Sequence, residues 1–402
     1  MKKNLLTVLC VMLTLNGFAQ ENKEAKEEEK KEGFEFTVVK ENPITSIKNQ
    51  NQSGTCWCFS TLSFIESELL RMGKGEHDLC EMFVVHKTME DRAAQTVRTH
   101  GDVSYSQGGS FYDVIYCLDR YGICPQDAMP QPGTLYGDTL PNHNEVDIVA
   151  TGFVEALATS KLKKLSPVWK QAFSSIYDAY LGKCPETFTH NGKTYTPKSY
   201  VESLGLNMDD YISLTSYTHH PFYKPFVIEV QDNWRWGLSY NLPLDEFMQV
   251  FDYALNKGYT IAWGSDVSES GFTRDGIAVM PDVNPAADLE GSDAAHWLGL
   301  TPTQRRMEAL RKPSPEMEIT QEMRQKAYDN WETTDDHGMH IYGIAKDQTG
   351  KEYYMVKNSW GKAGKYEGIW YASKAFTAYK TMNIVVHKDG IPKDIRKKLG
   401  LK

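Results

Sequence analysis

The sequence predicts an α+β fold of two lobes, a helical front lobe and a strand-rich back lobe, with a helical insertion between them. Three observations carry this. Phe59, Leu62, Ile65, Leu69 and Met72 fall three or four residues apart and Gly73 follows as a stop, the pattern of an amphipathic helix. Tyr342 to Ala345, Tyr353 to Lys357 and Ile369 to Ala372 are aromatic and β-branched runs parted by glycine-containing turns, the pattern of strands. No internal repeat and no low-complexity linker interrupts the chain after Gly33, so one architecture is expected over 34–402. Its parts read as a front lobe over 34–145, an insertion over 146–235 and a back lobe over 236–402.

In chain order, Lys2 and Lys3 precede an apolar stretch from Leu5 to Leu15, and Asn16-Gly17-Phe18-Ala19 places small residues where a signal peptidase reads them. Residues 1–19 are therefore expected to be a secretory signal peptide, and the mature chain to be secreted across the inner membrane into the periplasm or out of the cell. Cys10 lacks the small neighbours that lipid attachment needs. Residues 20–33 hold the run ENKEAKEEEKKE, which has no large apolar residue and reads as a solvated tether. Order is expected from Phe34, where Phe-Glu-Phe-Thr-Val-Val alternates like a strand. Farther on, Val146 to Lys183 carries helical spacing, and Asn191-Gly192 within Thr187 to Thr196 is a hairpin signal.

Composition excludes several classes. With 402 residues, 41% of them apolar, the chain can bury a sizeable core. Lys and Arg total 44 against 53 Asp and Glu, a net charge of -9 that becomes -11 once the two lysines of the leader are removed. This is no polybasic nucleic-acid binder, and no apolar run beyond the leader is long enough to span a membrane. Seven cysteines are too few for a disulfide scaffold. Cys56-x-Cys58 has no second Cys or His pair at ligand spacing, so neither a metal nor a cofactor is expected.

The chemistry-bearing residues begin with Gln50-Asn51-Gln52-Ser53-Gly54-Thr55-Cys56-Trp57, a polar loop running into the first helix. Unpaired N–H groups and the positive end of the helix dipole at that place favour a thiolate, which makes Cys56 a candidate nucleophile; a packed, inert cysteine is the bland alternative. A thiol nucleophile needs a base, and Asp336-His337-Gly338-Met339-His340 offers two. Three residues apart on a strand, His337 and His340 face opposite sides, and pattern alone does not choose between them. The strand turns at Asp347 to Gly350 and returns through Lys351 to Asn358, bringing Asn358 near His337, where its amide fixes the imidazole tautomer. Trp360 then excludes water from that contact, or packs as ordinary core. Gln50, with the Cys56 N–H, is placed to hold an oxyanion.

Together these residues resemble the papain-like (C1) cysteine peptidases, whose Gln…Cys-Trp…His…Asn-Ser-Trp order stands here as Gln50, Cys56-Trp57, His337 and Asn358-Ser359-Trp360. In that family the histidine precedes a glycine by six residues, as His337 precedes Gly343, and the resemblance thereby selects His337. It also implies that Gly108 and Gly109 let a substrate backbone approach the cleft, and that Trp360 borders the site. Ile44 to Leu399 resembles most closely the bleomycin hydrolase and aminopeptidase C branch, through Gly108-Gly109-Ser110-Phe111, Tyr121-Gly122-Ile123-Cys124-Pro125, Tyr180-Leu181-Gly182-Lys183, Tyr211 to Leu214 and Gly258 to Gly264. Papain's cleft cysteine pair is replaced by Ser53 and Ser106, and no pairing follows from the sequence for Cys58, Cys80, Cys117, Cys124 and Cys184.

The resemblance implies a papain-like fold with a β-barrel-like right lobe, a peptide substrate, hydrolysis through a Cys-His-Asn triad and a homohexamer. It further implies an aminopeptidase, in which a C-terminal arm meets the substrate's amino group. Gly390 to Ile395 resembles the start of that arm, but the usual apolar tail does not follow before Lys402, which keeps an endopeptidase or broad-specificity peptidase in play. The rivals from other classes are a transglutaminase-like acyl transferase and an inactive peptide-binding protein.

Overall fold

The computed structural model describes residues 33–129, 140–283, 296 and 299–401. The expected signal peptide, 1–19, and the tether up to residue 32 lie outside the described residues, as does Lys402. The front segment holds β1 (Phe36–Glu41), α1 (Cys56–Arg71), α2 (Glu81–Arg98) and α3 (Phe111–Arg120). The insertion segment supplies α4 (Asn144–Ala158), α5 (Val168–Leu181), β2 (Phe188–His190), β3 (Lys193–Tyr195), α6 (Pro197–Leu204), β4 (Tyr211–Thr215) and β5 (Pro225–Val227). The remainder forms β6 (Leu238–Asn241), α7 (Leu244–Asn256), β7 (Ile261–Ser265), β8 (Ile277–Ala278), α8 (Pro302–Ala309) and α9 (Gln321–Asp329). It ends with β9 (His337–Asp347), β10 (Glu352–Lys357), β11 (Ile369–Ser373), α10 (Lys374–Lys380), β12 (Thr381–His387) and α11 (Lys393–Leu399).

Local chemistry explains the boundaries that matter. Asn191 and Gly192 both take positive φ, 48° and 74°, as the two-residue turn between β2 and β3 requires. Ser110 and Asp113 close a capping box at the start of α3, and Thr196 caps α6 ahead of a proline in its first turn. Helix α1 departs from the amphipathic expectation: Trp57 through Leu69 are buried on every side. Its apolar face packs into the front core with Phe83, Val84, Val114 and Leu118, and its polar face lies under β9. That polar face is satisfied internally. Ser60 and Thr61 donate back to the Cys56 and Trp57 carbonyls, Ser63 meets the His340 imidazole at 2.9 Å, and Glu66 accepts from Thr45 Oγ1, Lys48 Nζ and the Leu79 N–H.

Ten strands form one mixed sheet in the order β5-β6-β4-β12-β7-β9-β10-β11-β8, with β1 added on β9. It draws β1 from the front segment and β4 and β5 from the insertion segment, while α4 and α5 pack on α2 in the front core. Strand β9 is shared along its length: residues 337–341 pair β7, and 343–347 pair β1, with β10 on the other edge. Its first residue, His337, therefore sits at the edge facing α1. A second core, built on Phe247, Phe251, Trp263, Ile341 and Ile384, covers the sheet's other side; Ile395, Leu399 and Leu401 dock the C-terminal helix there. Among the described residues no helix is long and apolar enough to cross a membrane.

The Glu66 cluster gives the first test of how the front lobe is held around α1. Replacing Glu66 by Ala leaves three buried or half-buried donors facing an empty site, and stability should fall by about 3 kcal/mol, read as a lower urea midpoint with unchanged slope.

Candidate active site

Cys56 is the first residue of α1 and half-buried, at the wall of a cleft of about 630 Å³ that His337 also lines. The loop before it is held by Gln107 of the same lobe: Gln107 Oε1 accepts from the Gly54 N–H at 3.0 Å, and the Trp57 indole donates to the Gln107 carbonyl at 3.0 Å. The glycines that follow Gln107 also make room for the protein's own side chains. A Cβ on Gly109 would stand 2.8 Å from the Trp57 ring, and one on Gly108 would collide with the Asp232 carboxylate at 2.1 Å. Their bare faces are filled by the protein's own side chains, and of the two only Gly109 lines the cleft.

His337 opens β9, and its Nε2 bonds to Asn358 Oδ1 at 2.8 Å, just past the end of β10. Because Asn358 Oδ1 accepts, the proton sits on Nε2 and Nδ1 keeps its lone pair. Trp360 stacks on the imidazole, centroids 4.8 Å apart, and is braced edge-on by Trp370; it covers His337 and does not line the cleft. His340 is fully buried against Ser63 beneath α1. Gln50 is buried too: its amide N–H donates to the Ser53 carbonyl at 2.8 Å, and its Oε1 accepts from Ser359 Oγ at 2.5 Å, leaving one amide hydrogen uncommitted.

Electrostatics modify the expectation of a thiolate set by the helix start alone. Burial, followed by the charges of Asp335 and Asp232, pushes the Cys56 thiol up to about 11, although the Gly338 and Trp57 N–H groups favour the thiolate. Burial likewise brings His337 down to about 4, against the Asn358 hydrogen bond. As placed in the cleft, both groups are neutral at pH 7. An ion pair between a thiol and an imidazole so placed requires proton transfer from one to the other, with a mutual attraction large enough to offset the desolvation of both.

Two cleft carboxylates were not legible as site residues. Asp232 sits over Gly108 and 3.6 Å from the buried Arg92, with its pKa raised by burial. Asp335 is open to the cleft but hemmed in by protein, and burial with the charges of Asp232 and Asp336 pushes it up to about 7. Arg235 ties this wall to the front lobe through Asp113 at 2.6 Å and Asp91 at 2.7 Å. Asp336, the neighbour of His337 in sequence, is turned to Thr334, the Ser268 N–H and Asp266. Nothing in local sequence marks Asp232 or Asp335, since their position depends on contacts across the cleft.

Among the described residues one cluster has metal-ligand chemistry, His219, His220 and Glu229. His219 Nδ1 lies 3.1 Å from Gln325 Nε2 and 3.3 Å from its Oε1, and the Nε2 atoms of His219 and His220 each lie 3.1 Å from a Glu229 carboxylate oxygen. The cluster is thus closed by hydrogen bonds.

Comparison with known proteins matches the same elements. The Peptidase C1-like family model matches residues 79–284 and 314–401, and the Papain family cysteine protease model matches residues 33–107. Aminopeptidase G of Lactobacillus delbrueckii subsp. lactis is 23% identical, over 88% of this chain and 83% of its own. Aminopeptidase C of Streptococcus thermophilus is 22% identical, over 91% and 85%. Among solved structures, pepw from Lactobacillus rhamnosis hn001 superposes with a TM-score of 0.66 at 20% identity, covering 90% of this chain and 84% of its own.

Alkylation tests whether His337 takes the Cys56 proton. At pH 7 iodoacetamide should modify Cys56 at least 100-fold more slowly in His337→Ala than in the unaltered chain, because without the imidazole no base accepts the proton of a thiol that burial pushes up to about 11. Equal rates would remove His337 from the role of base.

Proposed function

This chain belongs to the Peptidase C1-like family, and from that membership we propose that it is a secreted, aminopeptidase-like thiol peptidase working through Cys56, His337 and Asn358. The observation that carries the reading is the His337–Asn358 bond at 2.8 Å beside a cleft that also holds the helix-start thiol. Cys56 attacks the scissile carbonyl after giving its proton to His337 Nδ1. The tetrahedral oxyanion takes hydrogen bonds from the Cys56 N–H and the uncommitted Gln50 amide hydrogen. His337 passes its proton to the leaving amine, the acyl-enzyme remains, and a water activated by His337 releases it. Asn358 keeps the imidazole in the tautomer that allows this.

The aminopeptidase part is supported by the names of the relatives and by the charge of the cleft wall. A free amino terminus is a cation, and Asp232 and Asp335 are carboxylates beside the nucleophile; no cation contributes to the Asp335 environment. In this reading they receive the ammonium that a C-terminal arm meets in the resembled branch. The endopeptidase alternative is supported by a different observation: α11 and Leu401 dock on the back core, and no described residue beyond Val385 lines the cleft. The leader over residues 1–19 supports export, and in that case the mature protein recovered from the periplasm begins near Gln20.

Paired substrates decide between the two. A peptide amide with a free amino end should be cleaved with at least tenfold higher kcat/KM than its N-acetylated form. Asp335 protonates as pH falls through about 7, so KM for the free substrate should rise between pH 7.5 and pH 6 while that for the blocked one stays flat. Asp335→Asn should flatten the profile. Equal cleavage of free and blocked ends would make the enzyme an endopeptidase.

A further inference from the structure

We propose that Cys80 and Cys124 form a disulfide under oxidising conditions, stapling the start of α2 to the segment that follows α3. Leu79 and Pro125 form an antiparallel bridge, with the Cys80 N–H donating to the Cys124 carbonyl at 3.0 Å and the Gln126 N–H to the Asp78 carbonyl at 2.8 Å. Cys80 and Cys124 are consequently the next opposed pair. Cys80 has extended backbone, φ -81° and ψ 108°, before α2 begins, and Cys124 precedes a proline, which favours the same conformation. Opposed residues of an antiparallel pair carry their side chains on one face with Cα atoms roughly 4.5 to 5.5 Å apart, inside the range a disulfide spans. Both are free thiols in this structure.

Both side chains are fully buried, and the hydrogen bond from Cys80, followed by burial, raises the Cys124 thiol, so the folded lobe reacts slowly at this pair. The bond forms while the lobe closes. The two thiols lose two protons and two electrons, one S–S bond is made, and the oxidant, a small disulfide or an oxidised dithiol protein, is reduced to its two thiols. The closed loop would contain Gly109 and α3, which form part of the cleft wall. In the cell the oxidant depends on the proposed secretion; the test supplies its own, so the failure of that reading and the failure of this pair remain distinguishable.

The full chain is refolded from urea in a buffer of oxidised and reduced glutathione, then denatured and alkylated. The expected result is protection of two of the seven cysteines, one linked peptide pair containing Cys80 and Cys124 that dithiothreitol separates, and a thermal midpoint that falls by roughly 5 °C on reduction. Cys124→Ser should show no such fall, and Cys58→Ala should keep it. Alkylation of all seven, or a link from Cys80 to Cys184 or Cys58, its other sulfur neighbours, overturns the proposal.

Discussion

The close approach of the start of β9 to the first turn of α1 is the constraint on which the site depends. A Cβ at Gly338 would lie 2.7 Å from Ser60 Oγ, 3.1 Å from the Phe111 ring and 3.3 Å from the Cys56 carbonyl, so only hydrogen fits between strand and helix. This contact sets the residues on either side of it. Cys56 lies at the helix end of the seam and His337 is the strand residue immediately before Gly338, and both therefore reach the same cleft wall through packed secondary structure, not through a free loop. The same contact turns the Gly338 N–H toward the thiol. The buried polar residues of α1 are satisfied in two ways: Ser63 from β9 through His340, Ser60 from its own helix and Glu66 from Thr45, Lys48 and Leu79 of the front segment.

A second seam makes the groups around the reacting pair one unit. The loop before the nucleophile and the loop after β10 are joined by the Gln50 N–H to Ser359 carbonyl bond at 2.8 Å, by Ser359 Oγ on Gln50 Oε1 and by the bridge between Asn49 and Trp360. Asn358, which holds the imidazole, and Gln50, which serves the oxyanion in the proposed mechanism, are thus adjacent members of one hydrogen-bonded ladder. Displacing either shifts the other, which is how a network of buried polar groups enforces a single geometry.

Most of the framework was legible because it rests on local chemistry. The spacing of Phe59 to Met72, the Asn191-Gly192 turn and the aromatic strands near the C-terminus are each decided within a few residues, and the corresponding helix, hairpin and strands stand where they were expected. Residues whose meaning depends on distant contacts were not legible. Asp232 and Asp335 acquire their place from a cleft assembled across more than a hundred positions, and β1, β4 and β5 join the sheet by long-range pairing that short runs of sequence do not encode. Gly108 and Gly109 show the intermediate case: the absence of a side chain was readable, but whether the space served a substrate or Asp232 and Trp57 was not. The thiol is the same kind of case, since the helix start is visible in sequence and the burial that opposes it is a property of the assembled fold.

That opposition has a consequence for turnover. In the empty cleft the carboxylates of Asp335 and Asp232 act against ionisation of Cys56, as like charges must. On the proposed aminopeptidase reading, a substrate brings its ammonium to those same carboxylates and neutralises the field that holds the proton on sulfur. Desolvation of the thiol is unchanged by this, but the unfavourable charge is removed and the N–H groups of Gly338 and Trp57 are left to favour the thiolate. Proton transfer to His337 then becomes easier with the substrate bound than without it. A peptide lacking the positive charge would occupy the cleft without that effect, so selection for a free amino end would be exerted on the chemical step as well as on binding.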